Sequence, residues 1–267
     1  MRTDRTLLEE QYRDGSNLDA RIALHARFST ATRDFHDWLF DYVDARPGMR
    51  VLELGCGTGQ MWGTVCRRVP GECDLLLSDF SSGMLAGTRA KFVTLSASDG
   101  SPLRTTWVQS DAQAIPFPGG RFDVVLANHM LYHVPDLPQA LGEIRRVLKP
   151  GGRLVAATNG PRHMRELGGP AAALGVNATT LMSLSFNLEN GTGLLAAHFA
   201  VVERYDFKGA LEVTEAEPLV AYVLSMRAAA GLATPERVQR LRDIVRERIE
   251  RDGVFHITAE SGLFVAH

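Results

Sequence analysis

Between Arg50 and Thr158 short apolar runs alternate with longer stretches whose apolar residues recur at helical spacing. Val51, Leu52 and Leu54, then Cys73 to Leu77, Thr105 to Gln109, Phe122 to Ala127 and Arg153 to Thr158, predict five strands. Helices are predicted between them at Gln60 to Arg68 and Ser81 to Lys91. A third, Asp136 to Leu148, carries Leu137, Leu141, Ile144 and Leu148 on one face and stops at Lys149-Pro150-Gly151-Gly152. Leu95 to Leu103 is rich in Ser, Gly and Pro and predicts a surface loop. Upstream, Leu18 to Phe28 and Asp34 to Val43 predict two amphipathic helices, the second broken off by Pro47-Gly48. Downstream, Gly160 to Gly191 predicts inserted helices, followed by a helix to Phe199 and a sixth strand at Val201 to Phe207. Helices at Glu215 to Ala230 and Pro235 to Asp252 lead to a final strand, Val254 to Ala266. The expected organisation is an α/β domain over 47–267 with a helical lid insertion at about 160–200, under a helical cover formed by 1–46.

The first strand runs straight into Gly55, Gly57 and Gly59 at alternate positions. Glycine permits positive φ and lets a ligand lie against the backbone, and a helix opening at Gln60 would turn its amides to the same ligand. The spacing fits neither the Gly-Lys-Ser/Thr of a nucleotide phosphate loop nor the G-x-G-x-x-G of a dinucleotide loop. Glu53 at the strand end would repel a pyrophosphate but suits an ammonium or a ribose hydroxyl. The plainer reading is a glycine turn that only joins strand to helix.

Val51-Leu-Glu-Leu-Gly-Cys-Gly-Thr-Gly59 resembles the first motif of the class I S-adenosylmethionine-dependent methyltransferases, and Leu148-Lys-Pro-Gly-Gly-Arg-Leu154 resembles another hallmark of that family. The resemblance is dense from Arg50 to Thr158 and weakens on both sides. It implies a seven-stranded Rossmann-like sheet that binds S-adenosyl-L-methionine and releases S-adenosyl-L-homocysteine. The glycine loop, with Glu53, Gly55, Cys56, Gly57 and Gly59, would wrap the amino-acid end of the cofactor. Asp79, closing the second strand about twenty residues on, has the place of a ribose ligand and equally that of an N-cap for the next helix. Phe80 and Met84 either line the adenine or pack. By resemblance, Asp111 accepts from the adenine amino group and the Ala112 amide serves a ring nitrogen. Asn128, at the exit of the fourth strand, joins the cofactor residues.

A methyl acceptor belongs beyond the strand ends, where His129 and His133 lie. Their spacing also permits a metal, but there is no third ligand in sequence, so no metal site is expected. As general bases they would serve a hydroxyl acceptor, and the bland alternative is that they shape the loop. Tyr12 is the choice for an N-terminal cover residue that closes over cofactor and substrate; Arg13, His25, Arg27 and Phe28 either join it or pack. His163, Met164, Met182, Phe186 and Asn187 are further pocket candidates.

Charge and composition narrow the acceptor. The formal net charge of -2 gives no basic field for nucleic acid, and 45% hydrophobic residues suffice for a full core. The arginines of 235–252 are matched by Glu236, Asp243, Glu247 and Glu250, so that helix reads as a solvated face. Met1 to Glu10 has no long apolar core, which predicts neither signal peptide nor membrane span, and Cys56, Cys66 and Cys73 fit a reducing, cytoplasmic setting without a zinc spacing. The reading is methyl transfer by direct displacement to a small molecule, as from secondary metabolism, by a monomer or homodimer. Peptide or RNA methylation, decarboxylation or cyclisation on the same fold, and a noncatalytic binding protein are the alternatives.

Overall fold

The computed structural model describes residues 16–99, 104–176 and 185–267, so Tyr12, Arg13 and Met182 lie outside the described residues. The first apolar run becomes β1 (Arg50–Leu54), paired in parallel with β2 (Asp74–Asp79) and β4 (Phe122–Asn128). Period-two alternation sends Leu52, Leu54, Val125 and Ala127 into a core on one face and Val51, Val124 and Leu126 into a core on the other. Both faces are therefore dry, which is why these strands read as continuous apolar runs.

With β3 (Arg104–Gln109), β5 (Leu148–Asn159), β6 (Val202–Phe207) and β9 (Ser261–Ala266) the main sheet has seven strands, in the order β3-β2-β1-β4-β5-β9-β6. The chain steps outward from β1 to β3 and then crosses back to β4 on the other side of β1. This switch opens a crevice at the carboxyl ends of β1 and β4. The seven-stranded α/β architecture is the expected one, and β9 is antiparallel to both its neighbours.

Two local expectations are corrected. The predicted strand Val254 to Ala266 is broken: β8 (Phe255–Thr258) pairs with β7 (Ala210–Val213) in a separate two-stranded antiparallel sheet, and only Ser261 onward enters the main sheet. The break falls where Glu260 accepts the Arg162 N–H at 2.8 Å and its guanidinium at 2.6 Å, while its own carbonyl accepts the Gly160 N–H at 2.9 Å. The predicted loop from Leu95 instead begins later, because the helix after β2 continues to Asp99; Ser and Ala are tolerated in a helix interior, and the breakers Gly100 and Pro102 come only afterwards.

Among the described residues the α-helices are α1 (Ser16–Phe28), α2 (Phe35–Val43), α3 (Gln60–Val65), α4 (Ser82–Asp99), α5 (Leu137–Val147), α6 (Gly168–Ala173), α7 (Gly191–Ala196), α8 (Ala216–Leu224) and α9 (Pro235–Asp252). A third apolar cluster joins Leu24 and Phe28 of α1 to Met164, Leu167 and Leu174, to Leu211 and Ile257 of the two-stranded sheet, and to residues of α8 and α9. This is the cap. Arg21 pins α1 to it, donating to the Ser225 carbonyl at 3.0 Å and to Ser225 Oγ at 3.3 Å. Phe186, Leu188, Leu195 and Phe199 pack instead into the sheet core beside Phe264, so close that a Cβ on Gly191 would meet that ring at 2.4 Å.

Candidate active site

The alternate glycines all adopt the left-handed backbone: φ is +66° at Gly55, +53° at Gly57 and +68° at Gly59. Only glycine takes three such turns in succession without strain. Space is short as well, since a Cβ on Gly55 would lie 2.9 Å from Met130 Cβ and one on Gly59 2.5 Å from Thr88 Cγ2. The resulting loop and the crevice at the β1/β4 switch open into one cavity of about 720 Å³. Its wall includes Glu53, Gly55, Cys56, Gly57, Asp79, Phe80, Met84, Asp111, Ala112 and Asn128. Gly59 is set back from it, opening α3 and packing on α4.

Glu53 is 2% exposed, and its carboxylate accepts from Trp62 Nε1 at 2.6 Å and Asn128 Nδ2 at 3.0 Å. Burial raises its pKa to about 7, with both hydrogen bonds pulling the other way. Asn128, having given its amide to Glu53, leaves Oδ1 buried with no protein donor among the described residues. An acceptor left bare beside a carboxylate at the end of β4 suits an ammonium or hydroxyl donor from a ligand. The Trp62 bond was not legible in the sequence, since nothing in a tryptophan nine residues past Glu53 marks it as a partner.

Asp79 is held by two backbone N–H groups. Oδ2 accepts the Gly57 N–H at 2.9 Å and Oδ1 the Ser81 N–H at 2.8 Å, so the carboxylate ties the glycine loop to the end of β2. The cap of α4 is made by Ser81, whose Oγ accepts the Met84 N–H at 3.3 Å. Burial raises the Asp79 pKa, opposed by the backbone amides. Asp111 is oriented by Gln113, accepting its backbone N–H at 2.9 Å, and the adjoining Ala112 is buried. Burial pushes the Cys56 thiol up, which disfavours its thiolate form.

Across the cavity the wall changes character. His25, His36, His129, His133 and His163 line it together with Phe35, Tyr132, Phe207 and Tyr222. His129 holds a left-handed φ of +51° with its N–H on the Ala157 carbonyl at 3.0 Å, and its ring lies 5.3 Å from that of Phe35. Burial lowers the pKa of His129 to about 3, helped by neighbouring histidines, and it lowers His163 to about 3 as well; His25 and His36 are lowered by the same cause. His133 closes a single 3-10 turn against Tyr132. Among the described residues no group of three or more His, Cys, Asp or Glu is placed to hold a metal ion, and no helix is long and apolar enough to cross a membrane. Of the remaining pocket candidates, Met164 is buried in the cap core, Phe186 is in the sheet core, and Asn187 accepts the N–H groups of Glu189 and Asn190 in a turn; none lines the cavity.

Residues 52–156 match a family model described as a methyltransferase domain. The ubiquinone/menaquinone biosynthesis C-methyltransferase UbiE of Vibrio campbellii is 39% identical over 115 residues, covering 43% of this chain and 43% of that protein. The chain thus spans less than half the length of this curated relative. Among solved structures, the YcgJ protein of Bacillus subtilis has a TM-score of 0.55 at 16% identity, covering 86% of this chain and 96% of that one. The 4+2 cyclase SpnF has a TM-score of 0.60 at 18% identity, covering 97% of this chain and 94% of that one. At such identities the likeness shows the fold. The fold is that of the class I methyltransferases, and the segment 52–156 is similar to the methyltransferase-domain family. That family implies S-adenosylmethionine as cofactor. The bare Asn128 Oδ1, the glycine loop that no side chain would fit and the buried Asp79 carboxylate all suit it.

Proposed function

We propose that the chain is a methyltransferase that moves the methyl group of S-adenosylmethionine to a small molecule held under the cap. The observation that carries this reading is the single cavity in which Glu53, Asp79 and Asp111 share a wall with Ile22, His25 and Phe35 of the cover helices and Tyr222 of α8. A pocket roofed in this way admits a compact, largely apolar acceptor more readily than a polymer. When bound, the cofactor supplies a sulfonium methyl open to direct displacement.

The protein's part is alignment and exclusion of water. Glu53 and Asn128 take up the ammonium end or a ribose hydroxyl, the Asp79 carboxylate holds the ribose while fixing the glycine loop, and Asp111 with the Ala112 amide reads the adenine. His129, with its low pKa, is a poor base and acts through position; His133 is the base for an acceptor whose hydroxyl must be deprotonated. Calorimetric titration with S-adenosylmethionine and S-adenosylhomocysteine, followed by incubation with phenols, amines and indoles and mass detection of one added methyl, tests this. Micromolar binding with a methylated product supports it. Binding with a rearranged or decarboxylated product would replace methyl transfer by another chemistry on the same fold, and absence of binding would overturn the reading of the glycine loop.

A further inference from the structure

The acceptor half of the cavity is walled by the exit of β5 and the turn between β8 and β9, since Asn159, His163, Ala259 and Ser261 all line it. These two segments are locked together. Asn159 Oδ1 accepts Ser261 Oγ–H at 2.8 Å, and His163 Nδ1 accepts the Glu260 N–H at 3.2 Å. Glu260 in turn grips Arg162 and sits so close to Gly160 that a Cβ there would lie 2.3 Å from Oε2. The tautomers and rotamers follow from the bonds. With Nδ1 accepting, the neutral imidazole of His163 carries its proton on Nε2. With Oδ1 accepting, the Asn159 amide presents its nitrogen, which has no acceptor among the described residues. The His163 ring is steadied by the parallel ring of His25, 4° from coplanar at a centroid distance of 6.2 Å.

The charge of this half is as informative as its donors. The carboxylates that line the cavity, Glu53, Asp79 and Asp111, stand at the ends of β1, β2 and β3. On the cap side there is only Asp34, whose Oδ1 is already shared by the His36 and Asp37 N–H groups. Among the described residues a cationic amine would find there a single carboxylate, already engaged by two backbone N–H groups, whereas an oxygen with lone pairs would find two N–H donors and, around them, Phe35, Phe207 and Tyr222.

From this we infer that Asn159 Nδ2 and His163 Nε2 form a two-donor clamp for an oxygen atom on the acceptor, so that the substrate is a neutral, oxygenated ring compound of the phenol or enol class and not an amine. The inference rests on the methyltransferase reading and adds the chemistry of the acceptor to it. An arylamine in the same place would turn its own N–H groups toward those of the clamp and leave both donors unpaired, which is the arrangement that gives strong discrimination.

Protein saturated with S-adenosylhomocysteine is titrated calorimetrically with 1-naphthol, 1-naphthylamine and naphthalene. The expected result is that naphthol binds at least tenfold more tightly than either of the others. In His163→Phe and in Asn159→Leu that preference should shrink below threefold. Ser261→Ala, which frees the Asn159 amide without touching the cavity donors, should weaken naphthol alone and serves if the other variants do not fold. Equal or tighter binding of the amine, no binding of naphthol, or an undiminished preference in the variants overturns the clamp. Failure of S-adenosylhomocysteine itself to bind sinks the functional reading beneath it, and the two failures are distinguished in the first titration.

Discussion

Asp79→Asn is the sharpest test of how the cofactor half is built. Both carboxylate oxygens of Asp79 already accept a backbone N–H, from Gly57 at 2.9 Å and from Ser81 at 2.8 Å. An amide nitrogen placed on either side therefore faces another N–H. If it faces Gly57, the glycine loop loses its tie to β2; if it faces Ser81, the chain leading into α4 loses its own. The remaining lone pairs, which a ribose would use, lose their negative charge in either case. Forfeiting one or two charge-assisted bonds of about 1.5 to 3 kcal/mol each, part of it recovered by relaxation, places the loss at about 2 to 4 kcal/mol. That corresponds to roughly a 30- to 700-fold rise in the Kd for S-adenosylhomocysteine. The assay is isothermal titration of wild type and variant, with Asp206→Asn as control, since Asp206 lies on exposed β6 away from the cavity wall. A variant Kd within threefold of wild type would refute the reasoning, because it would mean that neither the loop tie nor the charge contributes to binding.

Gly59→Ala should destabilise the fold by at least about 2 kcal/mol in urea titration, since alanine must take a φ of +68° with its Cβ 2.5 Å from Thr88 Cγ2. Trp62→Phe keeps most of the ring but removes the 2.6 Å donor to Glu53, so the Glu53 pKa should rise further and cofactor affinity near neutral pH should drop about five- to tenfold. A wild-type affinity in that variant would show that Glu53 needs only Asn128. Acid should weaken the protein through the cavity histidines. His129 and His163, at about 3 when folded against 6.5 otherwise, leave the unfolded chain holding more protons between those values, so stability falls as pH drops through that window. Glu53, raised to about 7 from 4.5, works in the opposite direction and cancels one of them between 4.5 and 6.5. The remainder is about 2 kcal/mol lost between pH 6.5 and about pH 5, and urea midpoints that do not move over that interval would contradict it. His129→Gln alone should flatten the profile, because the remaining histidine is then balanced by Glu53.

The parts of the molecule that could be read in advance are those whose physics is local. The strand β1 and its glycines announce themselves because a doubly buried strand must be apolar and a three-fold left-handed turn must be glycine, and both properties show in Val51 to Gly59. Asp79 was placed by its distance from that loop along a regular βαβ repeat and Asp111 by resemblance to a family motif, and both lie on the cavity wall. What stayed hidden depends on pairings between distant segments. Nothing near Glu53 indicates Trp62 Nε1 as its donor, and nothing near His163 indicates the Glu260 N–H that sets its tautomer. His36, which also lines the wall, sits one residue into an ordinary amphipathic helix, and its proximity to His129 exists only once α2 has docked on the sheet. The break at Glu260 was missed for the same reason, because its cause is Arg162, far back in the chain.

The two halves of the cavity also differ in how far apart their walls lie along the chain. The cofactor wall is drawn from segments that all lie between Glu53 and Asn128, whereas the opposite wall draws on α1, the exit of β5, Phe207, Tyr222 and the turn before β9. The cofactor half closes over separations of up to 75 positions, as from Glu53 to Asn128, while the acceptor half carries the larger loop-closure entropy of bringing together segments up to 240 positions apart, as from Arg21 to Ser261. Partial openings of the native state should therefore concentrate in the cap, leaving the nucleoside pocket intact, and amide exchange should be faster in α1 and α8 than in β1 and β4. The same separation lets substitutions in the scattered wall change which acceptor is taken without disturbing the compact one that holds the methyl donor.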